Sequence, residues 1–362
     1  MTDINKTLDL IYEAAFLPDK WQEVLDIMAH GASAHGTALF STSTTTARSI
    51  ASDSLADLTQ KMVDEGWLNR NSRAAKLLTI EHEGFIDEAD HFSEQDYNSQ
   101  PIFTQVMQPL GYGFGTSTFI TSPSGDRMIF AVEKKAATGP VTAEAIAYLD
   151  RLRPHLARAA TMASRLEFER VRAAVEALQI AGLPAAVLRA DGVAIAVNHL
   201  LEQMSPRIMT AAFGRIRFLH TPANAFLTSL LEQRRMAQSG ASGSFPLPTM
   251  EDHAPAVVHV MPVEGGARDI FTNAALFMIV TPIDRQRVPS AEVIKGLFDL
   301  TPAEAKVARE LATGSDVASV AHQLSVGRET VRSHVKAILS KTGMSRQADF
   351  VAAIASIRTI EK

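Results

Sequence analysis

Arg328, Arg332 and Lys336 recur four residues apart in the stretch RETVRSHVK, with Ser333 beside the middle one. On a helix that spacing places the three cations on one stripe, a turn apart. Cations in register, close to helix N-terminal amides, suit the phosphate spacing and base edges of a DNA major groove. A solvated basic face is the ordinary explanation of a lone charge run. Here a helix and a tight turn precede the stripe and supply the scaffold that inserts such a face, so groove reading is the stronger interpretation.

The flanking residues spell out the helices that must hold the stripe. Thr301-Pro302-Ala303-Glu304 is a capping box: the threonine hydroxyl accepts from the third helical amide, and Glu304 reaches back to the cap amide. Pro302 suits the first helical position, where its missing donor would be unpaired anyway. Ala305, Val307, Ala308 and Leu311 give this helix one apolar face, and Gly314 suits a left-handed stop. Asp316 caps a second helix with Val317, Val320, Ala321 and Leu324 at helical spacing. The turn Ser325-Val326-Gly327 leads into a third helix over 328–342, whose Val331, Val335, Ile338 and Leu339 face a core. Gly343 ends it, and Ser345 caps a fourth helix reaching Ala355.

The segment 300–352 resembles the four-helix DNA-binding domain of LuxR-type transcription regulators. The residues that carry the likeness are Leu300-Thr301, Glu304, Val307, Gly314, Ala321, Leu324, Val326, Thr330-Val331, His334, Ile338, Lys341 and Gly343. The resemblance implies that Arg332, Ser333 and Lys336 read bases and backbone. It assigns Thr330 and Lys341 to supporting backbone contacts and His334 to the helix junction, while Arg328 joins the set through the cationic stripe. Three positions depart from the family pattern. Val317 and Ala318 stand where polar and basic residues usually open the second helix, which puts a backbone contact there in question. Ser325 replaces the usual turn glycine. Gly327 replaces a Ser or Thr cap, at a cost of only a few tenths of a kcal/mol.

Ahead of this tail lies a mixed α+β body. Over residues 1–141, Leu8, Ile11, Tyr12 and Ala15 and then Trp21, Val24, Leu25 and Met28 repeat at helical spacing. A strand is expected at Thr37–Ser41, a solvated turn at Ser41–Thr46 and another helix at Leu55–Trp67. A hairpin pairs Phe114–Thr121 with Arg127–Glu133 across Ser122-Pro123-Ser124-Gly125-Asp126. Residues 142–180 form a long helical stretch in which Ile146, Leu149, Leu152, Leu156, Ala159, Ala163 and Leu166 follow three-four spacing. The pattern then slips to Val171, Ala174, Val175 and Leu178. Pro154 predicts a kink or break near Arg153. Two readings of this stretch stand side by side: a helix packed on its own domain, or a connecting helix that dimerises and transmits a signal.

Residues 181–284 read as a second α+β unit. Ala185–Arg189 and Val193–Val197 form a hairpin about Asp191-Gly192, and Thr221-Pro222 opens a helix to Arg235. Gln238–Pro248 reads as a loop, and Val257–Met261 and Ala274–Thr281 as strands. Residues 285–296 are the expected linker and 297–362 the tail. In element order 1–141 resembles a GAF-type and 181–284 a PAS-type sensor domain. The expected fold class is therefore multidomain α+β, two sensor-like units joined by a long helix, followed by an all-α helix-turn-helix domain.

Other chemistry is poorly represented. Asp87-Glu88-Ala89-Asp90-His91 contains metal-ligand residue types, but with no second cluster a solvated acidic loop is the better reading and no metal is expected. His155 lacks the adjacent acid of a phosphoacceptor histidine, and Lys295-Gly296 lacks the glycine cradle of a phosphate loop. The acid and Lys set of a phospho-receiver domain is not found. Around Gly66-Trp67-Leu68-Asn69-Arg70 the aromatic-and-aspartate arrangement of an autoinducer domain is not recoverable. Trp67, Phe103, Phe114 and Phe119 are candidate pocket residues, against the plainer reading as core. No enzymatic activity and no cofactor are expected.

Net charge is −5, divided unevenly: residues 297–362 hold nine Lys/Arg against seven Asp/Glu, and the rest of the chain carries −7. With no cysteine, no apolar run long enough for a membrane helix and no secretory leader, a cytoplasmic protein is expected. The expected function is that of a dimeric, sequence-specific DNA-binding regulator of transcription whose acidic body senses a small molecule or a protein. The alternative is a partner-controlled interaction regulator whose tail binds DNA weakly, which Val317 and Ala318 favour. Expected partners are double-stranded DNA with a two-fold-related site, a second copy of the chain and, as a further candidate, RNA polymerase. Dimer contacts are expected from the 142–180 helix and from the tail around Phe350 and Ile354.

Overall fold

The computed structural model describes residues 4–42, 47–121, 127–235, 242–250, 253–263, 271, 274–283, 288–355 and 357. The expected turn 122–126, part of the Ser41–Thr46 turn, part of the 238–248 loop, Asp284 and residues 285–287 of the expected linker lie outside the described residues.

The apolar stripes of α1 (Ile4–Phe16) and α2 (Trp21–Gly31) are buried as their spacing requires, through Leu10, Ile11, Trp21, Val24, Leu25 and Met28. They pack on a five-stranded antiparallel sheet of order β2-β1-β5-β4-β3. Its strands are β1 (Gly36–Thr42), β2 (Ala47–Ala51), β3 (Ile86–Asp87), β4 (Tyr112–Thr121) and β5 (Arg127–Lys135). The expected hairpin is present as β4–β5. Alternation along the strands sorts the side chains onto two faces. Leu39, Ile120, Met128, Phe130 and Val132 join α1 and α2 in one core. On the other face Ala38 joins the core made by α3 (Ala56–Asp64), α4 (Ser72–Leu77) and a π-helical turn, Ile102–Met107. Helix α5 (Glu94–Ser99) lies just ahead of that turn in the chain.

The long stretch is a single helix, α6 (Ala143–Ile180), of 38 residues. It runs without interruption through Pro154, so the expected break is absent. Pro154 is exposed, while Leu149, Leu152 and Leu156 on either side are fully buried and hold the helix against the first core. Burial continues to Ala163. Beyond it most positions are exposed, and Leu166, Val171 and Leu178 are half-buried.

Beyond α6 the expected elements recur: β6 (Ala185–Leu188) and β7 (Ala194–Val197) pair as a hairpin, with Gly192 in the left-handed region at φ +82°. A short helix α7 (His199–Glu202) and a small hairpin of β8 (Ile208–Thr210) and β9 (Ile216–Phe218) follow, then α8 (Thr221–Arg235). The expected 238–248 loop contains a strand, β10 (Gly243–Leu247), ahead of β11 (Ala256–Pro262) and β12 (Leu276–Pro282). The second sheet has the order β10-β11-β12-β6-β7. The Ser, Gly and Pro content of 238–248 reads as a loop; β10 is an edge strand, where the donor missing at Pro246 is tolerated.

The tail contains five helices among the described residues: α9 (Ala291–Phe298), α10 (Pro302–Ala312), α11 (Val317–Gln323), α12 (Arg328–Thr342) and α13 (Gln347–Ala355). Helix α9 occupies ground read as linker: Ser290 caps it, and its Ile294 is fully buried in the tail's core. Helix α13 begins at Gln347, after an Arg346 turn, rather than directly behind Ser345. Contacts divide the chain into two compact units, residues 1–176 with 185–243 and 260–278, and residues 177–184 with 244–259 and 279–362.

Asn198 ties three elements together within the first of these units. Its Oδ1 accepts from the amides of Ala185 (3.0 Å) and Leu201 (3.1 Å), and its Nδ2 donates to the Val175 carbonyl (3.2 Å). Replacing it orphans the buried Ala185 amide. Asn198→Ala should cost about 1–3 kcal/mol, read as a lower urea midpoint at unchanged slope. An unchanged midpoint would show that the buried amide finds another partner.

Candidate functional site

The capping box that opens α10 does more than end a helix. Thr301 Oγ1 accepts from the Glu304 amide (3.3 Å), and Glu304 Oε2 accepts from the Thr301 amide (2.7 Å). The same Oε2 accepts from Lys341 Nζ on α12 at 2.7 Å. The cap thus becomes a strut between α10 and α12. The Lys341 ammonium, with the Thr301 amide behind it, holds the Glu304 carboxyl down to about 2. Beneath the strut Leu311, Val320, Val331, Ile338, Phe350 and Ile354 share one core. Phe350 and Ile354 are 1% and 0% exposed, so they are core residues rather than the expected dimer contacts.

Helix α11 is capped by Asp316, whose Oδ1 accepts from the Ser319 amide at 2.7 Å. Ser325 in the following turn sits at φ +53°, the left-handed geometry for which a glycine is suited and a serine pays about 1–2 kcal/mol. Gly327 opens α12 with no side-chain cap, and Gly343 closes it in the left-handed region. The turn and caps leave one face of α12 clear: Arg328, Thr330, Arg332, Ser333 and Lys336 are all exposed, while Val331 and Ile338 are buried behind them. Arg332 NH1 pairs with Glu329 Oε1 at 2.5 Å, with both side chains mostly in solvent. Such a pair is worth little, so Glu329 restrains Arg332 weakly. Lys341 differs from the stripe, being engaged by Glu304. His334 is half-buried.

Residues 299–353 match the bacterial regulatory proteins of the luxR family. This segment is a LuxR-family helix-turn-helix domain. Among solved structures the chain is similar to Escherichia coli SdiA, at 10% identity and TM-score 0.31, covering 99% of this chain and 100% of that one. It is similar to VqmA of Vibrio cholera in a ligand–DNA complex, at 16% identity and TM-score 0.23, covering 49% and 87%. It is also similar to a phage VqmA–DPO complex, at 14% and 0.21, covering 48% and 84%. TM-scores this low establish no shared fold. No curated protein matches the chain.

A second feature lies far from the LuxR-type domain in sequence. On the α3–α4 face of the first sheet is a cavity of about 50 Å³. Leu58, Met62, Leu77, Ile102, Met107 and Phe119 supply apolar walls, and Arg73, Glu88, Glu133 and Ser117 a polar end. Arg73 lies between the two carboxylates. It donates through Nε and NH2 to Glu88 (2.6 Å each) and through NH1 and NH2 to Glu133 (2.8 and 3.0 Å). Strand register brings the group together: Glu133 pairs with Gly115 and Ala131 with Ser117. A Cβ on Gly115 would lie 2.5 Å from Arg73 NH2, so glycine is what lets the ion group close against β4.

Of the four expected pocket residues only Phe119 lines this cavity. Trp67 and Phe103 are buried in the core beside it without reaching its wall. Phe114 pairs with Lys134 and therefore points to the opposite face from Ser117 and Phe119. Glu88 is no part of a solvated acidic loop, being 2% exposed, while Asp87 caps the turn in which it sits. Among the described residues no cluster has the makings of a metal site. His155 Nδ1 lies 2.9 Å from the Tyr12 hydroxyl, which accounts for it as a packing residue.

Burial pushes the Glu133 carboxyl up to about 7, with the Glu88 charge adding to the rise and Arg73 opposing it. Burial alone would lower the Arg73 guanidinium, but Glu133 and Glu88 outweigh it and hold it well above its ordinary value. Tyr97, within the same field, is raised to about 12, chiefly by burial. An unfolded glutamate titrates near ~4.3, so the folded chain binds the extra proton in between. Glu133 therefore contributes stability that is complete below that value and lost as pH rises through about 7. Glu133→Gln, which keeps an acceptor for Arg73, should flatten the fall in urea midpoint between about pH 5 and 8 relative to the parent. Parallel midpoint curves for the two proteins would show that Glu133 does not titrate in that range.

Proposed function

We propose that the chain is a dimeric, sequence-specific DNA-binding regulator of transcription, controlled by a body that senses a small molecule or a protein. The observation that carries this is the exposed surface of α12: a stripe of three cations with Ser333 beside it and Thr330 exposed in the first turn, in a LuxR-family domain. Arg328, Thr330, Arg332, Ser333 and Lys336 are assigned to phosphates and base edges, and Lys341 first of all to holding α12 on α10. Residues 1–141 are taken as the principal sensor unit, 181–284 as a second one and 297–362 as the DNA-binding unit. The exposed second half of α6, with Leu166 and Val171 half-buried and Phe168 exposed, is the dimer contact this reading requires. Such a dimer would meet a two-fold-related site on double-stranded DNA, with RNA polymerase as a further partner.

The experiment is selection of genomic fragments followed by titration of the winning fragment at fixed salt. Arg332→Ala and Lys336→Ala should each weaken binding by about 1–3 kcal/mol if they reach base edges. Glu329→Gln should strengthen it, because a carboxylate is removed from the phosphate-facing side and Arg332 is released. If parent, Arg332→Ala and Lys336→Ala bind alike at matched salt, the partner-controlled alternative takes over.

A further inference from the structure

We propose that the cavity in the first unit binds a small apolar monocation, a primary amine with a short branched tail, whose ammonium group sits among Glu88, Glu133 and the Ser117 hydroxyl. The proposal deepens the sensor reading above and rests on it for any effect on DNA.

Charge is the first ground. Arg73 is the only cation lining the cavity, against two glutamates, and all three are nearly excluded from solvent. Each of the four carboxylate oxygens takes one bond from Arg73, which leaves acceptor capacity on every one of them. Buried carboxylates call for pairing, and once Glu133 is ionised, above about pH 7, one guanidinium cannot neutralise two. An anion would add to the imbalance and find Arg73 already engaged. A neutral alcohol would satisfy the hydroxyl and leave the charge.

An unused polar atom at the same place is the second ground. Ser117 Oγ is buried and has no hydrogen-bond partner, although Ser117 is 1% exposed and lines the cavity. Strand register seats it two positions from Gly115, on the face that carries Glu133. A buried hydroxyl with no partner costs free energy unless something fills the space. An ammonium has three donors, enough for both carboxylates and Ser117.

Size and walls set the tail. About 50 Å³ is a third of the ~150 Å³ cavity that admits benzene, and a branched amine is no smaller than benzene, so its entry requires the Met62 and Met107 side chains to swing out of the cavity. Arg73 NH1 points at Met107 Sδ at 4.0 Å, so that side chain lies where the polar end meets the apolar one. Arg73 from α4, Glu88 from the turn after β3, Tyr97 from α5 and Tyr112 from β4 are the charged and titratable groups facing Glu133 among the described residues. Because Glu133 sits near 7, an ammonium beside it favours the ionised form, and binding should strengthen from about pH 6 to 8.

The test uses the full chain carrying ¹³C-methyl methionine, titrated with isobutylamine hydrochloride, isobutanol and sodium isobutyrate near pH 7.5. The Met62 and Met107 methyl resonances should move with the amine at concentrations at least tenfold below those needed for the alcohol, and isobutyrate should leave them in place. Glu133→Gln should erase the advantage of the amine over the alcohol. Ser117→Ala, a smaller change to the fold, should weaken the amine several-fold. Equal response to the alcohol or the carboxylate, or methyl signals that ignore the amine, overturns the proposal. Fragment binding is measured on the same preparations. A chain that binds DNA but ignores the amine refutes this site and leaves the regulator standing; one that takes the amine and ignores DNA does the reverse.

Discussion

The Arg73 guanidinium, clamped between Glu88 and Glu133, is the constraint around which the first sheet and its covering helices are arranged. The three residues come from α4, from the turn after β3 and from β5, so one ion group fixes three pieces of chain that are distant in sequence. Charges removed from water cost several kcal/mol each, and removing one partner of such a group typically costs about 3–5 kcal/mol, a large share of the ~5–15 kcal/mol that keeps a domain folded. The rest of the local structure complies with it. Gly115 gives up its side chain so that Arg73 can lie against β4, and Ala131 and Ser117 stay small where larger residues would close the cavity. Replacing such a group by apolar residues is often neutral or stabilising. Stability is thus a weak explanation for keeping it, and an unbalanced charge at the end of an apolar cavity a better one.

The tail uses a lighter version of the same device. One oxygen of Glu304 closes the cap of α10 and anchors Lys341 of α12. The cost of burying a carboxylate is offset by two charge-assisted bonds. The effect is positional. Helix α12 is pinned near its C-terminal end to α10 and along its inner side through Val331 and Ile338, while its N-terminal turns, where Arg328, Arg332 and Lys336 lie, remain clear. Recognition by a helix in a groove needs that division, because base contacts are lost when the helix can roll on its support.

How much of this could be read from the chain alone follows from how local each signal is. The helix-turn-helix was legible almost residue by residue, since a capping box, an aspartate cap, two glycine stops and three-four spacing act within a few positions of where they stand. The β4–β5 hairpin was legible through alternation. The cavity was not, because Arg73 and Glu133 are separated by 60 residues and nothing near either one announces the other. A trace was present nonetheless. Glu133 shares strand parity with Ile129 and Ala131, so a buried carboxylate in need of a cation was implied by the strand itself. The same parity argument separates Phe114 from Phe119: five positions apart in one strand, they cannot line one face unless a bulge intervenes. The one bulge lies between Tyr112 and Phe114, ahead of both. Helix α9 was missed for a different reason: it is only eight residues long and follows directly on a polar run with Pro289, which reads as linker until the tail's core is assembled around Ile294.

The two features differ in what they demand of any signal passing between them. The face of α12 is complete as it stands: its charges are solvated and its helix is closed by Gly343 and held on its core. The cavity is incomplete, with a carboxyl poised near neutrality and a hydroxyl without a partner. An effector can shift an equilibrium only by its difference in affinity between two arrangements, and that difference is largest where one arrangement leaves polar groups unsatisfied. Control, where it exists, should therefore originate in the unsatisfied site and act on the presentation of a finished one. Helix α6 has the makings of the connection, since it is rigidly packed from Ala145 to Ala163 and then leaves that core, with Val175 alone fully buried in its last three turns.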